Sequence, residues 1–121
     1  MITDILYSIL SGTYSNCYPL VAPQDAVLPY ITINPTTTEP STAKNSAINC
    51  ITYYVNINVY AASVRQAQQI MNGLKALLHN YSGTYDVYTI EGISYISEAF
   101  SFDEVLNGYQ ITGEFKVRVK S

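Results

Sequence analysis

Residues 51–60 read Ile-Thr-Tyr-Tyr-Val-Asn-Ile-Asn-Val-Tyr, and the rest of the chain is best understood outward from them. Ile51, Tyr53, Val55, Ile57 and Val59 alternate with Thr52, Tyr54, Asn56, Asn58 and Tyr60. Successive side chains of a strand point to opposite faces, so the alternation predicts a half-buried strand, from Ser46 to Tyr60, with one polar face. A helix is predicted to start at once. Ser63 and Gln66 form an S-x-x-Q pattern, in which two side chains satisfy the free backbone N–H groups of a helix start. Ala67, Ile70, Met71, Leu74, Leu77, Leu78 and Tyr81 recur at helical spacing, with Gln68, Gln69, Asn72, Lys75 and His79 on the other side. His79, in the last turn, suits the negative end of the helix dipole.

Upstream, Ile2, Ile5, Leu6, Ile9 and Leu10 predict a first amphipathic helix over Ile2 to Leu10, capped by Thr3 or Asp4 and stopped at Gly12. Pro19, Pro23 and Pro29 exclude a helix and a central strand between the two, so an extended crossing is expected there. An edge-type strand from Tyr30 to Asn34 follows it. Asn34 to Asn45 has no apolar residue except Ala43 and is expected to be a mobile loop, or an arm that orders against a partner. Downstream, three more strands are expected: Tyr85 to Glu91, Ile93 to Phe102 and Tyr109 to Val119. The hydrophobic pattern sets the register of the last two. A loop from Asp103 to Gly108 pairs Phe102 with Tyr109, Phe100 with Ile111 and Ile96 with Phe115. It also places Glu98 opposite Gly113. The expected architecture is α+β: a mostly antiparallel sheet of four to five strands with two helices packed on one face, in a single domain over residues 1–121.

Composition narrows the function. The chain is 48% hydrophobic but only 12% charged, and it carries twelve tyrosines. Tyrosine buries a large ring while keeping a hydroxyl for hydrogen bonds, which suits a subunit whose surface becomes covered on assembly; it also suits a Tyr-rich β-protein. A net charge of −3 with six basic residues, of which only Lys116, Arg118 and Lys120 cluster, disfavours specific nucleic-acid binding. No apolar run reaches membrane-spanning length and no basic leader precedes the first helix, so a soluble protein made in a cytoplasm is expected. Cys17, Cys50 and the single histidine, His79, do not form a metal-binding spacing; free thiols are the simplest reading of the cysteines, with a disulfide between the two as the alternative. There is no glycine-rich phosphate loop, and a catalytic triad would have to use His79 on a polar helix face. Asp103-Glu104 supplies too few oxygens for Ca²⁺, and Glu98 has no partner across a cleft for acid–base work. No catalytic, cofactor-binding or metal-binding residue is expected, and the chain does not read as an enzyme.

Cys17-Tyr18-Pro19-Leu20-Val21-Ala22-Pro23-Gln24 followed by Leu28-Pro29-Tyr30-Ile31 resembles the "Y-P-x-x-A-P-Q … P-Y-(hydrophobic)" signature of the tail-completion, or tail-terminator, proteins of long-tailed phages. Val55 to Ala61, ending in V-Y-A before a helix, is similar to the same family. So is the close of the chain, Asn107-Gly108-Tyr109 and then Phe115-Lys116-Val117-Arg118-Val119. The chain departs from the family in its Thr/Pro-rich stretch at Thr36 to Lys44 and in the few arginines of its last strand. The resemblance implies a structural protein in the neck of phages with long, non-contractile tails. It implies a homo-oligomeric ring, typically a hexamer, on the last ring of the tail tube protein, which stops tube polymerisation and presents a surface to the head-closure or connector protein. DNA would pass through the lumen, and the protein would be a virion component assembled in the host cytoplasm. The expected contact residues are Asn34, Thr36, Thr37, Thr38, Glu39, Ser41 and Lys44 in the polar stretch. Asp103, Glu104 and Asn107 at the hairpin tip, and Lys116 and Arg118 on the last strand, complete the set. A head-closure protein and a small non-enzymatic binding module are the alternatives.

Overall fold

The computed structural model describes the chain except residues 1, 15, 21, 23–26, 43–48, 86–87, 104–107 and 121; for residues 37–42, 49–50, 85 and 103 it describes the backbone only. The elements run α1 (Ile2–Ser11), β1 (Cys17–Pro19), β2 (Tyr30–Thr42), β3 (Asn49–Ala61), α2 (Val64–Leu78), β4 (Gly83–Tyr85), β5 (Tyr88–Asp103) and β6 (Gly108–Lys120). The strands form one six-stranded sheet in the order β1-β2-β3-β6-β5-β4. Only β1 and β2 are parallel; every other neighbouring pair is antiparallel. The sheet is therefore mixed and has six strands rather than four or five. The two extra strands, β1 and β4, are three residues each, too short to leave an alternating pattern in the sequence.

The alternating segment Ile51–Tyr60 lies in the third strand, which pairs with β6 from Cys50↔Lys120 to Ala61↔Tyr109. Val55, Ile57, Val59 and Ala61 on β3 and Ile111, Phe115, Val117 and Val119 on β6 are buried on the face that carries both helices. Ile2, Ile5, Leu6 and Leu10 of α1 and Ala67, Met71, Leu74 and Leu78 of α2 close the same core. Ser63 is the N-cap of α2, and its hydroxyl accepts the Gln66 amide at 3.2 Å. At Gly113 the sheet lies close under α2. A Cβ there would lie 2.9 Å from Met71 Sδ and 3.1 Å from Phe115 Cε2, so the space opposite Glu98 is already filled by α2.

The β5–β6 register matches the hydrophobic pattern for Phe102↔Tyr109, Phe100↔Ile111 and Glu98↔Gly113. It then slips by one residue between Tyr95 and Ser97, so Tyr95, not Ile96, pairs with Phe115 and stacks edge-on against it at 5.7 Å. Ile96 is the extra residue of this bulge and is exposed. The expected break between Glu91 and Ile93 is a second bulge within one long strand, and the segment read as starting at Tyr85 divides into β4 and β5.

The largest correction concerns Asn34 to Asn45. Strand β2 does not stop at Asn34 but continues to Thr42, paired with β3 as far as Thr42↔Asn49. Residues 43–45 of that stretch lie outside the described residues. The sequence looked like a loop because it lacks apolar residues and contains Pro35 and Pro40. Threonine favours extended backbone, however, and both prolines pair at positions where the strand's other side is a sheet edge, with Pro35 also at the bulge; a strand tolerates proline at both kinds of place.

Depth predicts the effect of core substitutions. Phe115→Ala, at a fully buried site, should cost about 3–5 kcal/mol, whereas Phe100→Ala, on the same face but 52% exposed, should cost less than about 1 kcal/mol. Urea unfolding of the two variants followed by circular dichroism checks the contrast.

Candidate assembly interface

Among the described residues, each outer strand of the four-strand centre is covered over only part of its length. The outer side of β2 is paired by β1 at Ile31, Thr32 and Ile33, and the Leu20 amide donates to Ile33 O at 2.8 Å. Beyond that, Asn34 to Thr42 has no strand beside it. On the opposite side, β4 pairs with Tyr88, Thr89 and Ile90 of β5. The C-terminal end of α2 covers the next stretch: the Asn80 amide donates to Ile93 O at 2.8 Å, and the Tyr95 amide donates to His79 Nδ1 at 3.4 Å. His79, expected to face solvent, thus has a structural role as an acceptor at a sheet edge. From Ser97 to Asp103 the outer side of β5 is open. The two open edges lie at diagonally opposite corners, because β1 covers the end of the sheet where β2 starts and β4 covers the other end.

The open corner of β5 is also apolar. Helix α2 runs obliquely from the Ala61 end of β3 toward β5 and leaves the last residues of β5 bare on the helix face. There Phe100 and Phe102 are 52% and 48% exposed, although their cross-strand neighbour Ile111 is fully buried. Phe102 meets Tyr109 edge-on at 5.0 Å, and Val64, at the start of α2, is exposed at the same end. The sequence pattern paired Phe100 with Ile111 and Phe102 with Tyr109; only the path of α2 shows that nothing in the described chain covers the two phenylalanines.

Next to this corner lies the one partly buried ion pair described. Lys75, expected to face outward, reaches Glu98 at 3.1 Å, and its ammonium sits 4.8 Å from the centre of the Tyr95 ring. Burial, and then the nearby Glu98 carboxylate, raises the Tyr95 phenol above its usual range, with Lys75 opposing. The pair joins α2 to β5 immediately before its open stretch.

The face away from the helices carries small polar groups in a continuous row. Asn58 Nδ2 donates to Thr32 Oγ1 at 3.1 Å, Thr112 Oγ1 to Asn58 Oδ1 at 2.7 Å, Gln110 Nε2 to Asn58 Oδ1 at 3.2 Å and Ser101 Oγ to Gln110 Oε1 at 3.3 Å. These bonds tie β2, β3, β6 and β5 together across the polar face. Tyr30 stacks on Tyr60 at 4.7 Å beside them.

The expected contact residues do not form one patch. Asn34 and Thr36 are exposed on β2, and the Thr36 hydroxyl donates to Tyr54 O at 3.1 Å. The backbones of Thr37, Thr38, Glu39 and Ser41 lie farther along the same strand, opposite Tyr54, Tyr53, Thr52 and Cys50. Asp103 ends β5 opposite Gly108, at the far corner. Lys116 and Arg118 are exposed on β6, and Arg118 Nε pairs with Glu91 at 3.1 Å within the chain. Lys44, Glu104 and Asn107 lie outside the described residues.

No group of three or more potential metal ligands occurs among the described residues, and no helix there is long and apolar enough to cross a membrane. Cys17 is a free, buried thiol pushed up to about 11 by burial, which keeps it protonated and unreactive at neutral pH.

The fold is an α+β sheet with one polar face and one face covered by helices. The chain matches the model of the tail completion protein gp17 family over residues 8–120 and belongs to that family. It is therefore a structural protein of the phage tail and not an enzyme. Among solved structures it is similar to a chain of the virion of a native gene transfer agent particle, with a TM-score of 0.75 and 17% identity over 97% of this chain and 85% of that one. At that identity the likeness speaks for the fold. No curated protein sequence matches.

Lys75→Met should cost about 1–3 kcal/mol, because it leaves a partly buried carboxylate without its cation. In the Glu98→Gln background the same change should cost less, and the double-mutant cycle by chemical denaturation reads the coupling.

Proposed function

We propose that this chain terminates a phage tail tube. Copies form a ring, six-fold in the simplest case, on the last ring of the tail tube protein. The ring stops further polymerisation and offers its other side to the head-closure or connector protein. The protein then resides in the neck of the virion after assembly in the host cytoplasm. The observation that carries this reading is the family match over residues 8–120, and the similarity to a chain of a gene transfer agent virion agrees with a place in a particle. The sheet supports it physically. A ring needs two different surfaces that fit each other and close by rotation, and this sheet has two different open edges. The net charge of −3 suits a ring through which DNA passes, since like charge disfavours phosphate contacts. The Asn34–Ser41 edge, Lys44, the Asp103–Asn107 tip, and Lys116 and Arg118 are the residues assigned to contacts with neighbouring copies, tube and connector.

Multi-angle light scattering of the purified protein, alone and mixed with the phage's own tail tubes, tests the proposal together with negative-stain images of the tube ends. The expected result is a ring in solution or a cap on one end of each tube. A monomer that leaves both ends bare contradicts it.

A further inference from the structure

We infer that neighbouring copies join edge to edge: the open stretch of β5 in one copy pairs antiparallel with the open stretch of β2 in the next, with Phe100 opposite Thr38. The inference rests on the ring reading above and specifies its subunit contact.

The direction of the backbone groups follows from bonds already made. The Tyr95 amide and Ile93 carbonyl point to the outer side of β5, and these residues pair with Phe115 and Val117 of β6. Backbone groups alternate along a strand, so the residues paired with Gly113, Ile111 and Tyr109, namely Glu98, Phe100 and Phe102, also point outward. On β2 the Ile31 amide and Ile33 carbonyl point outward. They pair with Val59 and Ile57, so after the bulge between Pro35 and Thr37 the outward residues are Thr38, Pro40 and Thr42, paired with Tyr53, Ile51 and Asn49. Two like-oriented copies place β5 beside β2 in antiparallel sense. Phe100 and Thr38 then exchange two hydrogen bonds, and the Glu98 amide donates to the Pro40 carbonyl. The positions also agree in face: Phe100 pairs with Ile111, and Thr38 pairs with Tyr53, both on the helix side of the sheet.

The occupant is a second copy because the two corners fit. Joining Phe100 to Thr38 shifts the second copy along the strands by six residues, the step from Val59 to Tyr53 on β3, or about 20 Å. After that shift β4 of the first copy lies beyond the end of the second copy's β2, and β1 of the second lies beyond the end of the first copy's β5. The short strands do not collide, and the repeat is four strands, about 19 Å wide. A stagger of about 20 Å over about 19 Å tilts the strands by about 45°, the upper end of the range in closed barrels. The join is heterologous, so it repeats until the ring closes. Pro35 and Pro40 offer no N–H to the open edge, which thins the hydrogen bonding and keeps a lone pair of copies weakly joined until a template holds them in register.

Ala99 and Glu39 lie opposite each other in this join, at a site where antiparallel Cα atoms approach to about 4.5 Å, within disulfide reach. The test mixes Ala99→Cys with Glu39→Cys, both in a Cys50→Ser background, with tail tubes under mild oxidation. The expected outcome is a covalent heterodimer from the mixture and none from either variant alone, and a ladder of linked copies from the double variant. Phe100→Ser should keep the melting temperature and lose the ladder. Capped tubes without cross-links overturn the edge join while the ring reading stands, as does Ala99→Cys dimerising by itself, which would mean β5 pairing with β5. Bare tubes and a monomer overturn both.

Discussion

The approach of α2 to β6 at Gly113 governs the rest of the molecule. A residue without a side chain lets Met71 descend onto the sheet between Phe115 and the start of β6. That contact sets the height and the slant of the helix. From it follow the burial of Ala67, Leu74 and Leu78 over β3 and β6, and the arrival of the last turn at β5, where His79 and Asn80 take up backbone groups. It also fixes what is left bare. Phe100 and Phe102 are left exposed at the end of β5. The packing of α2 and the exposure of Phe100 and Phe102 thus go together.

Much of this was legible in the chain. Alternation located β3 and β6, helical spacing and the Ser63 cap located α2, and matching apolar positions gave the register from Phe102↔Tyr109 to Glu98↔Gly113. These signals are strong because each rests on many residues with one face buried. What stayed hidden rests on few residues or on the absence of burial. Strands β1 and β4 have three residues each. The bulge at Ile96 shifts the pattern by one position, which alternation alone reads as a continued register. The extension of β2 to Thr42 is stabilised by pairing with β3 and not by an apolar face, so composition read it as a loop.

The candidate interface was legible in a different sense. The sequence read Asn34 to Ser41 as a mobile loop or arm, whereas its backbone is a strand whose outer side is free of pairing among the described residues. It missed the corner at Phe100 and Phe102 because hydrophobicity predicts burial but not which helix supplies the cover. Lys75 and His79 looked like solvated polar residues of a helix face. Only their proximity to Glu98 and Tyr95 shows them fastening the strand that carries the open edge. The signal that could have found the corner is a pair of phenylalanines at the end of a strand lying beyond the reach of a fifteen-residue helix.

The central claim is that this sheet is finished only by assembly. Amide hydrogen exchange on the free protein and on tube-bound protein tests it most directly. The amides of Phe100 and Phe102 should exchange rapidly in free protein, while those of Val59 and Ile111 are slow. On tube ends the Phe100 and Phe102 amides should become protected. Protection already complete in the free monomer, or unchanged exchange on the tube, would contradict the account.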